Sequence, residues 1–140
     1  MSDVARLSAM YQDALLAEYR APHNRRVMQT ATSSGERKNP VCGDAFRVMV
    51  AMNEGALTDV SFVGQGCSIA VASASLLTQV AAGHTGTRVH EVIAALEAML
   101  AGGASESLPP LLAPLRGVAP FPGRHGCAML PWLALRDALR

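Results

Sequence analysis

Aromatic residues are scarce in this sequence, with one Trp, two Tyr and three Phe among 140 residues, which excludes the stacked aromatic platform that single-stranded nucleic acids need. Charge is scarce too. Only 16% of the residues are Asp, Glu, Lys or Arg, against about 25% in an average globular chain. Twelve basic residues against eleven acidic ones leave a net +1, and the basic ones are scattered, so nothing electrostatic recommends nucleic acid as a partner. No Cys-x-x-Cys pair occurs, which argues against a dithiol redox centre. An N-terminal hydrophobic signal region is also missing: Asp3, Arg6 and Asp13 fall among periodic apolar residues, and the expectation is a cytoplasmic chain.

Val60 to Thr87 contains no charged residue. Gln65, Ser68, Ser73, Ser75, Thr78 and Gln79 interrupt it, whereas a membrane-spanning helix needs about 20 predominantly apolar residues. The stretch reads as a buried helix, with no membrane partner. Half of all residues are apolar, enough for one core, and the length predicts a single domain over residues 1–140.

Apolar residues at Leu7, Met10, Tyr11, Ala14, Leu15 and Tyr19 recur at helical spacing, predicting an amphipathic helix from Asp3 to Arg20 that Ser2 or Asp3 caps and Pro22 ends. Thr30 to Lys38 reads as a mobile loop. Phe46, Val48, Val50 and Met52 alternate, Asn53-Glu54-Gly55 supplies a turn, and Val60 and Phe62 alternate again, so a β-hairpin is expected over about 44–63. Two helices follow, Ser68 to Ala82 and about Thr87 to Leu100, stopped at Gly83 and Gly102. Five prolines between Pro109 and Pro122 make the next segment irregular. The last helix is expected to start near Cys127, because Pro131 suits only a first helical turn.

The three cysteines stand 25 and 60 residues apart: Cys42 in Asn-Pro-Val-Cys-Gly-Asp, Cys67 in Gly-Gln-Gly-Cys-Ser-Ile, and Cys127 in Gly-Arg-His-Gly-Cys-Ala. An odd count cannot pair fully within the chain, leaving metal ligation, reactive-thiol chemistry or plain burial. Cys67 and Cys127 fall at expected helix starts, where unsatisfied N–H groups favour a thiolate. Asp44 follows Cys42 across a flexible glycine, and three thiolates with one carboxylate make a tetrahedral donor set for zinc. Arg25, Arg26, Arg37 and Lys38 read as a solvated basic edge, and His23 as a solvated loop residue.

The Cys42, Cys67 and Cys127 segments, the last extending from Arg124 to Trp132, together resemble the NifU N-terminal/IscU family of iron-sulfur assembly proteins. Met10-Tyr11-Gln12-Asp13 and Tyr19 to Arg25 are similar to that family's first-helix signature, so the resemblance runs from about residue 10 to 136. Within the family the chain is most similar to the SufU branch of zinc-containing sulfur acceptors, on the long Cys67 to Cys127 interval and on Arg124. The resemblance implies an α+β fold of the SufE/NifU-like kind, a small antiparallel sheet packed against several helices. It implies Cys42, Asp44, Cys67 and Cys127 as metal ligands, with Cys42 the catalytic sulfur acceptor. Arg124 is a possible accessory, steadying the anionic site or holding Asp44 by a paired hydrogen bond, and His125 is an alternative fourth ligand to Asp44.

The function implied is zinc-dependent acceptance and carriage of persulfide sulfur from a cysteine desulfurase of the SufS type, for delivery to a downstream iron-sulfur scaffold. Such a sulfurtransferase acts with the desulfurase rather than as a self-standing enzyme. The alternative is a scaffold on which a [2Fe-2S] cluster is assembled, since the same donors also hold iron.

Overall fold

The computed structural model of the chain describes residues 3–103 and 106–140, with the side chains of all of these but Asp3, Val4, Ala5 and Leu7. Helix α1 spans Asp3–Arg20, strands β1, β2 and β3 span Ser33–Lys38, Ala45–Asn53 and Ala56–Gln65, and helices α2 and α3 span Ser68–Ala81 and Gly86–Leu100. Two 3-10 stretches, Pro110–Val118 and Pro122–Arg124, lead into α4, His125–Ala138. The fold is α+β, with an antiparallel sheet in the order β1-β2-β3 packed against the helices.

Alternation along the hairpin puts Phe46, Val48, Val50, Val60 and Phe62 on one fully buried face, where α2 and α4 pack side by side. Glu54 and Gly55 both have positive φ, 54° and 81°, the backbone of a turn whose twist matches that of the strands. The charge-free run resolves into β3 and α2, the latter buried on nearly every side. No described helix is long and apolar enough to cross a membrane. Between α2 and α4 the polar groups satisfy one another: Trp132 Nε1 donates to Ser73 Oγ at 3.0 Å, and Ser73 Oγ donates to the Ala128 carbonyl at 2.6 Å. Fully paired polar contacts of this kind fix one packing arrangement inside an apolar core.

Three expectations are corrected. Thr30 to Lys38 is not all loop, because Ser33–Lys38 pairs along β2 from Ser33 opposite Val50 to Lys38 opposite Ala45. Its residues carry no strand pattern; the ladder to β2 and the cover of α4 impose the extended form. Helix α4 begins at His125, ahead of Cys127, and holds Pro131 in its interior. The bond that Pro131 cannot make to the Cys127 carbonyl is a local cost, offset by the burial of Cys127 to Trp132. On α1, Met10 and Tyr19 are exposed, while Leu15 is buried and Glu18 faces α2, accepting from Gln79 Nε2 at 2.6 Å and Ser75 Oγ at 3.3 Å. Polar contacts therefore hold the end of a helix that the apolar spacing assigned to Tyr19. Ser2 and the side chains of Asp3 and Leu7, on which the expected cap and the packing of Leu7 rest, lie outside what the structure describes.

Strand β1 is tied to α4 by polar contacts as well. Ser33 Oγ donates to the Ala138 carbonyl at 2.6 Å, and Arg37 Nε and Nη2 donate to the two Asp137 carboxylate oxygens at 2.6 and 3.1 Å. The Arg37 guanidinium, chiefly by this hydrogen bonding, holds the Asp137 carboxyl below its ordinary range. A depressed carboxyl pKa adds stability above the unfolded value of about 3.9, and that stability is lost as pH falls through the folded value. Asp137→Asn should accordingly cost on the order of 1 kcal/mol at neutral pH and progressively less in acid. Urea denaturation of both proteins across this range checks it, and a deficit independent of pH would remove the pair as its source.

Candidate metal centre

Asp44, Cys67 and Cys127 come from three elements that the fold brings to one end of the sheet. Ala45 lies opposite Gln65 in the β2-β3 register, so Asp44, one residue before β2, sits beside Gly66 and Cys67, just past β3. A Cβ at Gly66 would come within 2.9 Å of both the Asp44 carboxyl carbon and the Phe46 ring; glycine lets these groups close on the backbone. Cys67 occupies the N-cap position of α2 without using its side chain as a cap, which leaves the sulfur free for other partners. Cys127 lies near the start of α4, one residue before the carbonyl that Ser73 holds.

The ligand atoms of Asp44, Cys67 and Cys127 all lie within 4.8 Å of one another. Asp44 and Cys127 are buried, Cys67 is half-buried, and the Cys67 N–H makes a long 3.5 Å bond to Asp44 Oδ2. Burial, above all, pushes the Cys127 thiol up to about 11, with further contributions from hydrogen bonding to Cys67 and from the negative charges of Cys67, Asp44 and Cys42. A buried concentration of acceptors of one sign calls for a cation. Two sulfurs and one carboxylate at this spacing also suit zinc, for which bonds of about 2.3 Å to sulfur place tetrahedral sulfurs roughly 3.8 Å apart. The cluster can therefore hold a metal ion after small side-chain movements.

Cys42 stands outside this cluster and is exposed. Its loop is closed by Asn39, whose N–H donates to the Asp44 carbonyl at 2.8 Å and whose side-chain oxygen accepts from the Val41 N–H at 3.0 Å. Gly43 has φ of 78°, a conformation that other residues adopt only with strain. Val41, at the tip, is 95% exposed. Arg124 is exposed and, among the described residues, forms no hydrogen bond with Asp44. His125 donates from Nε2 to the Ala119 carbonyl at 2.9 Å. His23 is more than half exposed and meets Glu18 at 3.1 Å.

Two residues near the site have contacts that the sequence reading did not assign to them. Gly66 is needed for the close approach of Asp44, and the pattern Gly-Gln-Gly before Cys67 is the only hint of it. Arg25, expected to be solvated, donates from Nη2 to the Gly64 carbonyl at 2.7 Å, and Arg26 pairs with Asp59 at 2.8 Å. A sequence does not show which strand edge an arginine will meet.

Residues 10–107 match the family described as NifU-like N terminal domain. The chain is 32% identical to the zinc-dependent sulfurtransferase SufU of Bacillus subtilis over 99% of its own length and 95% of that protein. It is 27% identical to the iron-sulfur cluster assembly scaffold protein IscU of Streptococcus pyogenes, over 98% of this chain and 87% of the other. Among solved structures, FiSufU of Fervidobacterium islandicum AW-1 superposes with a TM-score of 0.86 at 26% identity, covering 94% of this chain and 98% of that one.

Proposed function

The chain belongs to the NifU-like N-terminal domain family, and from that premise we propose that it is a zinc-dependent acceptor and carrier of persulfide sulfur. The convergence of Asp44, Cys67 and Cys127 within 4.8 Å, beside an exposed Cys42, is the observation that carries the reading. Asp44, Cys67, Cys127 and Cys42 would hold zinc, which when bound keeps thiols deprotonated and oxygen ligands exchangeable. Cys42, on the exposed loop two residues before Asp44, would turn inward to join this set and face outward to meet a partner. Outward, the Cys42 thiolate attacks the terminal sulfur of a persulfide on a cysteine desulfurase. The new bond is Cys42 Sγ to that sulfur, the old S–S bond breaks, and the desulfurase thiolate leaves with the electron pair, so no external oxidant or reductant is required.

Residues 1–140 act in this reading as one domain in the cytoplasm, passing sulfur to a downstream iron-sulfur scaffold. The B. subtilis relative's name, zinc-dependent sulfurtransferase, supports it over the whole length of the chain. A second reading, assembly of a [2Fe-2S] cluster on the same donors, is favoured by the scaffold names of other relatives. Protein purified anaerobically should carry zinc near one per chain, and should gain the mass of one sulfur when incubated with a cysteine desulfurase and cysteine. Iron with inorganic sulfide in place of zinc would establish the second reading. Absence of both metal and sulfur gain would overturn the two together.

A further inference from the structure

Strand β3 delivers Cys67, and its outer edge is covered by the segment that follows α1. Asn24 and Arg26 pair with the edge groups of Phe62: the Phe62 N–H donates to the Asn24 carbonyl at 3.1 Å, and the Arg26 N–H donates to the Phe62 carbonyl at 2.9 Å. On a strand, every second residue points its N–H and C=O to the same edge. The next outward carbonyl after Phe62 is that of Gly64, three residues before Cys67. No backbone group of the covering segment reaches it among the described residues, and the Arg25 side chain takes it, Nη2 donating at 2.7 Å.

The same guanidinium lies over the Phe62 ring, 5.9 Å from its centroid. Phe62 packs on Phe46 with ring centroids 6.1 Å apart, and Phe46 packs against Gly66 so closely that a Cβ there would come within 2.9 Å of its ring. Gly64 itself has φ of 142° and abuts the Ala45 carbonyl, the residue next to Asp44. The covering segment is in turn anchored to α2, with the His23 N–H on Ser75 Oγ at 2.8 Å and Asn24 Nδ2 on Thr78 Oγ1 at 3.0 Å. It therefore grips both elements that meet at Cys67, and Arg25 is its side-chain contact with the last residues of β3.

We propose that Arg25 is a positioning residue for the metal centre, clamping the Gly64 to Cys67 backbone so that Cys67 is held at the separation from Asp44 and Cys127 that a metal ion requires. This rests on the metal reading of the Asp44, Cys67 and Cys127 cluster. A partner group that orients a ligand usually changes metal affinity by about 10- to 100-fold when it is removed. Arg25→Met should therefore weaken zinc binding by about tenfold in competition with a chromogenic chelator. Arg25→Lys should recover part of the loss, since an ammonium reaches one carbonyl but does not lie flat over a ring. Arg26→Met, which breaks the exposed pair to Asp59 on the same strand, should leave zinc affinity unchanged.

A readout independent of metal accompanies this. In zinc-free protein the Cys67 amide should exchange its hydrogen faster in Arg25→Met than in the parent, and at the parental rate in Arg26→Met. Equal zinc affinity in parent and Arg25→Met, or an equal loss in Arg26→Met, would overturn the role of Arg25. A parent chain that binds no zinc while its Cys67 amide still responds to Arg25→Met would overturn the metal centre instead.

Discussion

Replacing Cys42 by serine should abolish sulfur acceptance while leaving the fold as it is. The side chain lies on an exposed loop outside the Asp44, Cys67 and Cys127 cluster, so no core contact is lost with it. A serine hydroxyl is nearly isosteric, yet it has no thiolate to attack a persulfide and carries no stable persulfide afterwards. With a cysteine desulfurase and cysteine, the parent should gain the mass of one sulfur and accelerate alanine formation. Cys42→Ser should do neither, with an unchanged circular dichroism spectrum. Sulfur uptake by the variant would transfer the acceptor role to Cys67 or Cys127. Both are less accessible than Cys42, Cys67 being half-buried and Cys127 buried, and burial pushes the Cys127 thiol up to about 11.

The second large effect is on stability and comes from Gly35. Its β1 position faces α4, where a Cβ would run into the Ala134 carbonyl and come within 2.7 Å of the Ala138 nitrogen. These are backbone atoms of a helix and have no rotamer by which to give way. Gly35→Val should therefore push α4 off the sheet at a cost of about 3 kcal/mol or more, a large share of the roughly 5 to 15 kcal/mol by which domains are stable. Gly123→Ala is the matched control, because a Cβ there meets nothing within 4 Å. Urea denaturation should show a large fall in midpoint for the first and almost none for the second. A parental midpoint in Gly35→Val would mean that α4 can shift without loss, and that the β1-α4 contact does not hold the helix bearing Cys127.

Chain-local signals determined much of this protein. The helical spacing of apolar residues placed α1 and α3, an uncharged run of small and aliphatic residues ended by Gly83 placed α2, and alternation around Asn53-Glu54-Gly55 placed the hairpin, because side-chain periodicity, composition and turn chemistry are local properties of the chain. The residues around the three cysteines carried the family resemblance and named Asp44, Cys67 and Cys127, which the structure brings together. Tertiary structure decided the rest. Ser33–Lys38 is a strand only because β2 and α4 lie against it, and α4 runs through Pro131 only because its apolar face is buried. Cys67 and Cys127 are 60 residues apart and meet because the Trp132, Ser73 and Ala128 contacts set α4 against α2. Arg25 reads as one more solvated cation until the edge of β3 is present to receive it. Contacts between residues far apart in the chain leave no periodic trace in it, since their energy depends on which surfaces the completed fold places face to face.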